Sequence, residues 1–220
     1  MAKKEKQKLN AVSKWFRTLR RALPILYRPL FPYKKYGHTK LYTDRPYIFV
    51  GNHLSVLDVV FPVSSTSRPV HFMAKQCLFE KGLMKWFVTK SECIPVNRDG
   101  TDVKAIMQAM KYLKSGECLG IYPEGTRNKT KERFLPFKGG ATAIAIKTKT
   151  PVVPIVQVKK IRIFRISHVL IGEPMEFAEY YDKRLTEDDI KRCDDILLDK
   201  INEMYDQLNG ILSKKRSKKK

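Results

Sequence analysis

The chain has 220 residues, 43% of them hydrophobic, enough for one domain with a sizeable core and a short appendage. Its formal charge of +22 excludes an ordinary neutral surface and points to an anionic partner. Residues 1–40 hold 12 Lys and Arg against one acid, and 214–220 add six cations, so the ends seek anions while 41–212, with 26 cations and 21 acids, have a balance unexceptional for a soluble domain.

At the N-terminus, Val12, Trp15, Phe16, Leu19, Leu23, Leu26, Tyr27 and Leu30 recur at helical spacing, with Lys14, Arg17, Arg21 and Arg28 on the opposite side of the wheel. An apolar face opposite a cationic one suits a helix lying in a membrane interface, and Pro24 and Pro29 should split it. Trp15, Phe16, Leu19 and Leu23, with Arg17 and Arg21, are the expected docking residues. No run approaches the ~20 apolar residues of a spanning helix, and the start lacks the apolar block of a signal peptide. The expected organisation is residues 1–35 as basic amphipathic helices, 36–212 as the α/β domain and 213–220 as a disordered basic tail.

Beyond Tyr33 the patterning alternates. Strands are expected at 40–43, 47–50, 70–73, 93–96, 118–122, 152–158 and 169–171, and helices at 56–62, 77–89, 102–114, 140–147 and 186–212. Such alternation predicts an α/β fold with a mainly parallel or mixed sheet flanked by helices. Cys77, Cys93, Cys118 and Cys193 form no Cys-x-x-Cys pair and read as buried thiols of a reducing cytosol, with no metal site.

Three segments that follow apolar strand-like runs carry groups for handling protons or phosphate. In Asn52-His53-Leu54-Ser55-Val56-Leu57-Asp58, Ser55 and Asp58 have the spacing of a capping box, so His53 sits just outside a helix start and within reach of the Asp58 carboxylate. A carboxylate on one ring nitrogen leaves the other free to take a proton from a hydroxyl. Taken alone, a histidine five residues before an aspartate is common; its company gives it weight.

After the run ending at Tyr122 come Glu124, Gly125, Thr126 and Arg127, then Lys138 and the Gly139-Gly140 pair that opens a helix. Arginine forks and glycine-exposed amides are what a phosphate cradle requires. Arg98, at a third strand exit, is a further candidate phosphate ligand. His38, His71 and His168 have no comparable setting. A histidine base without a Ser or Cys nucleophile beside it suggests that the substrate carries the attacking hydroxyl, and neither Gly-x-Ser-x-Gly nor a P-loop occurs.

Asn52 to Asp58, Ile94-Pro95-Val96-Asn97-Arg98, Tyr122-Pro123-Glu124-Gly125-Thr126-Arg127 and Val153-Pro154-Ile155 together resemble, in order and spacing, the PlsC-type glycerolipid acyltransferases that act on 1-acylglycerol 3-phosphate. Asn128 and Ser91 depart from residues common in that family. The resemblance implies His53 as general base oriented by Asp58, and a phosphate site of Arg98, Glu124, Gly125, Thr126 and Arg127, beside which Lys138 of the same basic loop is a further candidate. It also implies an acyl-donor side shaped by Val153, Pro154 and Ile155. It implies no cofactor beyond acyl-CoA or acyl carrier protein as co-substrate, membrane lipid as partner, and a peripheral place on the cytoplasmic face of the membrane. Other acceptors compete, among them glycerol 3-phosphate, a lysophospholipid or an ornithine lipid. So does a non-catalytic protein that binds anionic membrane or nucleic acid, although no nucleic-acid-binding pattern is present.

Overall fold

The computed structural model describes residues 18, 22, 25, 27–97, 102–138 and 140–217. Arg98 and the docking residues Trp15, Phe16, Arg17, Leu19, Arg21 and Leu23 lie outside them.

The elements, in chain order, are β1 (Tyr33–Gly37), β2 (Ile48–Gly51), a 3-10 turn (Val56–Val59) running into α1 (Val60–Val63), β3 (Val70–Lys75), α2 (Gly82–Lys90), β4 (Ile94–Val96), α3 (Val103–Lys114), β5 (Cys118–Ile121), α4 (Gly140–Thr148), β6 (Val152–Gln157), β7 (Ser167–Ile171) and α5 (Glu187–Ser217). They build one mixed sheet in the order β1-β7-β6-β2-β5-β3-β4. The five strands from β6 to β4 are parallel; β7 runs against β6, and β1 follows β7. Parallel strands covered on both faces need near-continuous apolar sequence. β2 and β5 are buried along their whole length, as is β6.

Helices bury one stripe each. In α3, Ala105, Ala109 and Leu113 face the core at every fourth position, and the Asp102 carboxylate caps the helix by accepting from the Ala105 amide at 3.0 Å. In α5, Cys193, Leu197, Ile201, Met204 and Leu208 form a fully buried stripe. Each such large apolar side chain contributes about 1.5–3 kcal/mol by leaving water.

Four expectations are corrected. β1 occupies residues placed partly in the N-terminal helical region and partly past its end, because an edge strand of sequence Tyr-Lys-Lys-Tyr-Gly carries no continuous apolar run. The strand expected at 40–43 reduces to a single bridge between Tyr42 and Thr66. Tyr27, assigned to the membrane face, is buried among Phe31, Tyr33 and Phe61. At the other end α5 continues through Ser217, and Lys215 of the expected disordered tail bonds the Tyr36 hydroxyl at 2.9 Å with its ammonium over the ring.

Candidate active site

β2 and β5 are adjacent and parallel, so the segments after both strands emerge on one edge of the sheet, where open α/β folds place their sites. β2 ends at Gly51. Beyond it Asn52 prolongs the ladder with its side chain, Oδ1 accepting from the Gln157 amide at 3.0 Å and Nδ2 donating to the Gln157 carbonyl at 2.8 Å. The chain then turns sharply. Asp58 reaches back so that its Oδ2 accepts from the Leu54 and Ser55 amides at 2.7 and 2.6 Å, while Ser55 Oγ accepts from the Leu57 amide at 3.3 Å.

The same Oδ2 lies 3.1 Å from His53 Nδ1. Asp58 is 1% exposed, and its carboxylate requires Nδ1 to carry the proton, leaving Nε2 as the basic nitrogen. Tyr122 stacks on the imidazole at 4.2 Å with a 16° tilt, and Phe72 stacks on Tyr122 in turn. Gly120 makes this column possible, because a side chain there would run into the Phe72 ring. The Tyr122 hydroxyl is held well above its ordinary range, by burial first and by the Asp58 charge second, so the ring under His53 stays neutral.

His53 has its own main chain fastened from across the cleft. Its amide donates to Glu124 Oε1 at 2.9 Å, and its carbonyl accepts from the Asn128 amide at 2.7 Å. Both bonds go to the β5 loop, one on each side of Gly125, Thr126 and Arg127. Glu124 Oε2 accepts from the Leu135 amide at 3.0 Å. This carboxylate is buried, which pushes its pKa up, while the amides of His53 and Leu135 pull it down.

The loop is shaped by Gly125, whose φ of +67° is a left-handed conformation that glycine adopts freely, and the aliphatic part of Lys138 lies against it. Arg127 and Lys138 are exposed, and no hydrogen bond or ion pair engages either side chain among the described residues. The site therefore combines an oriented base with cations free to meet an anion.

The expected residues do not all share this place. Glu124 faces the protein interior and holds backbone, so it is not turned to receive a phosphate. β4 exits on the same edge but lies beyond β3, two strands from β5, roughly 10 Å away at the usual strand spacing. Val153 and Pro154 are buried within β6; Ile155 lines a small cavity behind the dyad with Asp58, Phe61, Tyr122 and Gln157. The acyl-donor assignment of these three thus falls on core positions.

Asn128 departs from the residue common in the family at that position. It proves to order the next turn, with Oδ1 accepting from the Thr130 amide and hydroxyl and Nδ2 donating to the Glu132 carbonyl. An Asn two residues before a Thr is a recognisable turn signal. The roles of Asn52 and Glu124 had no such local signal.

The other histidines have partners of their own. His71 is buried against Glu117 at 2.7 Å, His38 meets Glu173, and His168 accepts or donates with Tyr36. Burial pushes the thiols of Cys93, Cys118 and Cys193 up to about 11, unsuited to nucleophilic work, whereas Cys77, expected to be buried, is exposed.

The sheet carries its His/Asp pair just past the C-terminal end of its central strand, β2. The "Acyltransferase" family model matches residues 33–158, and the chain belongs to that family. A Bacillus subtilis protein, 1-acyl-sn-glycerol-3-phosphate acyltransferase, is 31% identical over 153 residues, covering 67% of this chain and 75% of the relative. A Helicobacter pylori protein of the same name is 35% identical, covering 53% of this chain and 50% of its own. A chloroplastic Brassica napus relative is also 35% identical, and the match spans only 33% of its length. The fold resembles the crystal structure of PlsC, the 1-acyl-sn-glycerophosphate acyltransferase from Thermotoga maritima, with a TM-score of 0.62 at 22% identity over 87% of this chain and 78% of the other.

Proposed function

We propose that this acyltransferase moves a fatty acyl group from an acyl thioester to the sn-2 hydroxyl of 1-acylglycerol 3-phosphate, giving phosphatidate for phospholipid synthesis. The observation that carries this reading is the open Nε2 of His53 beside a loop whose exposed cations, Arg127 and Lys138, have no protein partner among the described residues. The names of the Bacillus and Helicobacter relatives supply the acceptor.

His53 Nε2 takes the proton of the acceptor hydroxyl while that oxygen forms its bond to the thioester carbonyl carbon. The imidazolium produced is stabilised by Asp58 through Nδ1–H. Collapse of the tetrahedral intermediate breaks the carbon–sulfur bond, and the thiolate leaves with the proton returned from Nε2. Ester and free thiol are the products, and the base is regenerated. Arg127 and Lys138, with Arg98 as a further candidate, hold the acceptor phosphate by charge-assisted hydrogen bonds. Coenzyme A and acyl carrier protein both fit as thioester donors. The acceptor is amphiphilic, which favours work at the membrane surface, and among the described residues no helix is long and apolar enough to cross a membrane. The N-terminal apolar and cationic faces are proposed to dock there.

The test is purified protein with radiolabelled 1-acylglycerol 3-phosphate and acyl-CoA. His53→Ala should lower the rate by roughly 10²–10⁴-fold with the fold retained by circular dichroism. Wild-type activity in that variant would sink the assignment.

A further inference from the structure

The hairpin that joins β6 to β7, residues 158–166, leaves the same edge of the sheet as His53. It starts directly after Gln157, the residue clamped by the Asn52 side chain next to the base. Its sequence places four cations, Lys159, Lys160, Arg162 and Arg165, around Ile161, Ile163, Phe164 and Ile166, without an acid.

Ile161 is buried and roots the hairpin. Ile163, Phe164 and Ile166 are 57%, 74% and 61% exposed. All four cations are exposed too, and no ion pair or side-chain hydrogen bond engages them among the described residues. The conformation is nevertheless defined: the Phe164 amide donates to the Leu30 carbonyl at 2.7 Å, the Ser167 amide donates to the Pro32 carbonyl at 2.8 Å, and Phe164 has a φ of +56°. A bulky aromatic residue rarely adopts that φ, and here it accompanies a ring turned outward. Leu30, beside the tip, is exposed as well, so the apolar surface continues onto the segment that enters β1.

We propose that this hairpin is a bilayer-docking element that seats Ile163, Phe164 and Ile166 in the interface of an anionic membrane, with its four cations on the headgroups. Apolar side chains ringed by Lys and Arg are the chemistry of interfacial binding. A second copy of the chain suits the surface poorly, because a two-fold contact through the tip would bring the same four cations face to face. Docking here turns the His53 edge toward the leaflet that holds the amphiphilic acceptor. In that respect the inference rests on the proposed lipid-substrate reading, but binding tests it without reference to turnover.

The experiment uses the full chain and vesicles of phosphatidylcholine with or without about one-third phosphatidylglycerol. Changing Ile163, Phe164 and Ile166 together to Ser should lower vesicle partitioning about tenfold or more, and Arg162→Glu with Arg165→Glu should lower it on the anionic vesicles only. A bimane label on Phe164→Cys, in a Cys77→Ser background, should be quenched by brominated lipid. Turnover of a short-chain acceptor below its micelle concentration should match wild type in all variants. Flotation of the triple-serine variant at the wild-type level, an unquenched label on vesicle-bound protein, or a dimer that dissociates only in the triple-serine variant would each overturn the proposal. Inactivity of the wild type on the short-chain acceptor, with quenching intact, would sink the acceptor reading and leave the docking surface standing.

Discussion

The two sides of the cleft obey different rules. On the dyad side the atoms that orient the imidazole are held inside the protein: Asp58 Oδ2 takes two amides and the imidazole, and the His53 main chain is held at both its amide and its carbonyl, while Asp58 Oδ1 and the Tyr122 hydroxyl are buried without a partner among the described residues. On the cationic side Arg127 and Lys138 stand exposed with no partner among the described residues. A base must be oriented before substrate arrives, because proton transfer tolerates little error in geometry. Phosphate-binding cations can be ordered by the phosphate itself, and a fixed protein partner would only compete with it.

The largest effect is expected at Asp58. Asp58→Ala removes the partner of His53 and orphans two amides, so the rate should fall by roughly 10²–10⁴-fold and stability by about 1–3 kcal/mol for each amide left buried without an acceptor. Thermal denaturation and acyl transfer on the same sample check both, and an active, fully stable variant would erase the distinction between the two sides. Glu124→Gln keeps one carbonyl acceptor but turns an NH₂ toward the second amide. It should destabilise by about 1–3 kcal/mol and lower kcat without a selective change in acceptor KM, as measured by initial rates.

Arg127→Ala should do the reverse. Acceptor KM should rise about tenfold or more, consistent with the ~1.5–3 kcal/mol of hydrogen bonds to charged groups, with Tm unchanged. A drop in Tm would show that Arg127 is structural after all. Gly125→Ala sits between the two sides: a φ of +67° costs a non-glycine residue about 1–2 kcal/mol, and the Lys138 side chain must also give way.

The smallest effect is at the β4 exit. Asp102 accepts from the Asn97 and Ala105 amides, and these bonds hold its pKa below the usual aspartate value. A lowered folded-state pKa means that its stabilisation is present above the ordinary value and is lost as pH falls through the lowered one. Asp102→Asn should remove that acid-side slope from a plot of Tm against pH and leave neutral-pH activity nearly unchanged.

Local hydrogen bonding explains which parts were legible. The capping box between Ser55 and Asp58 spans four residues, so the turn that brings Asp58 to His53 is written in consecutive positions. The parallel strands are short apolar runs bounded by turn residues, and six of the seven strands lay where such runs occur. β1 escaped because Tyr-Lys-Lys-Tyr-Gly has neither an apolar run nor a period-two alternation to mark it as a strand. Tyr27 escaped because helical periodicity identifies an apolar face without saying what covers it.

By itself, then, the order of residues determined the α/β alternation, the proton-handling turn and a cation-bearing loop, since each depends on neighbours within a few positions. Only the tertiary structure decided that β5 lies beside β2, which brings Glu124 to the His53 amide across 71 residues of chain. That pairing turned a carboxylate expected at the phosphate into a brace for the base. An ionised side chain takes its role from the donors that surround it when it is buried, and those donors come from strand order rather than from sequence neighbours.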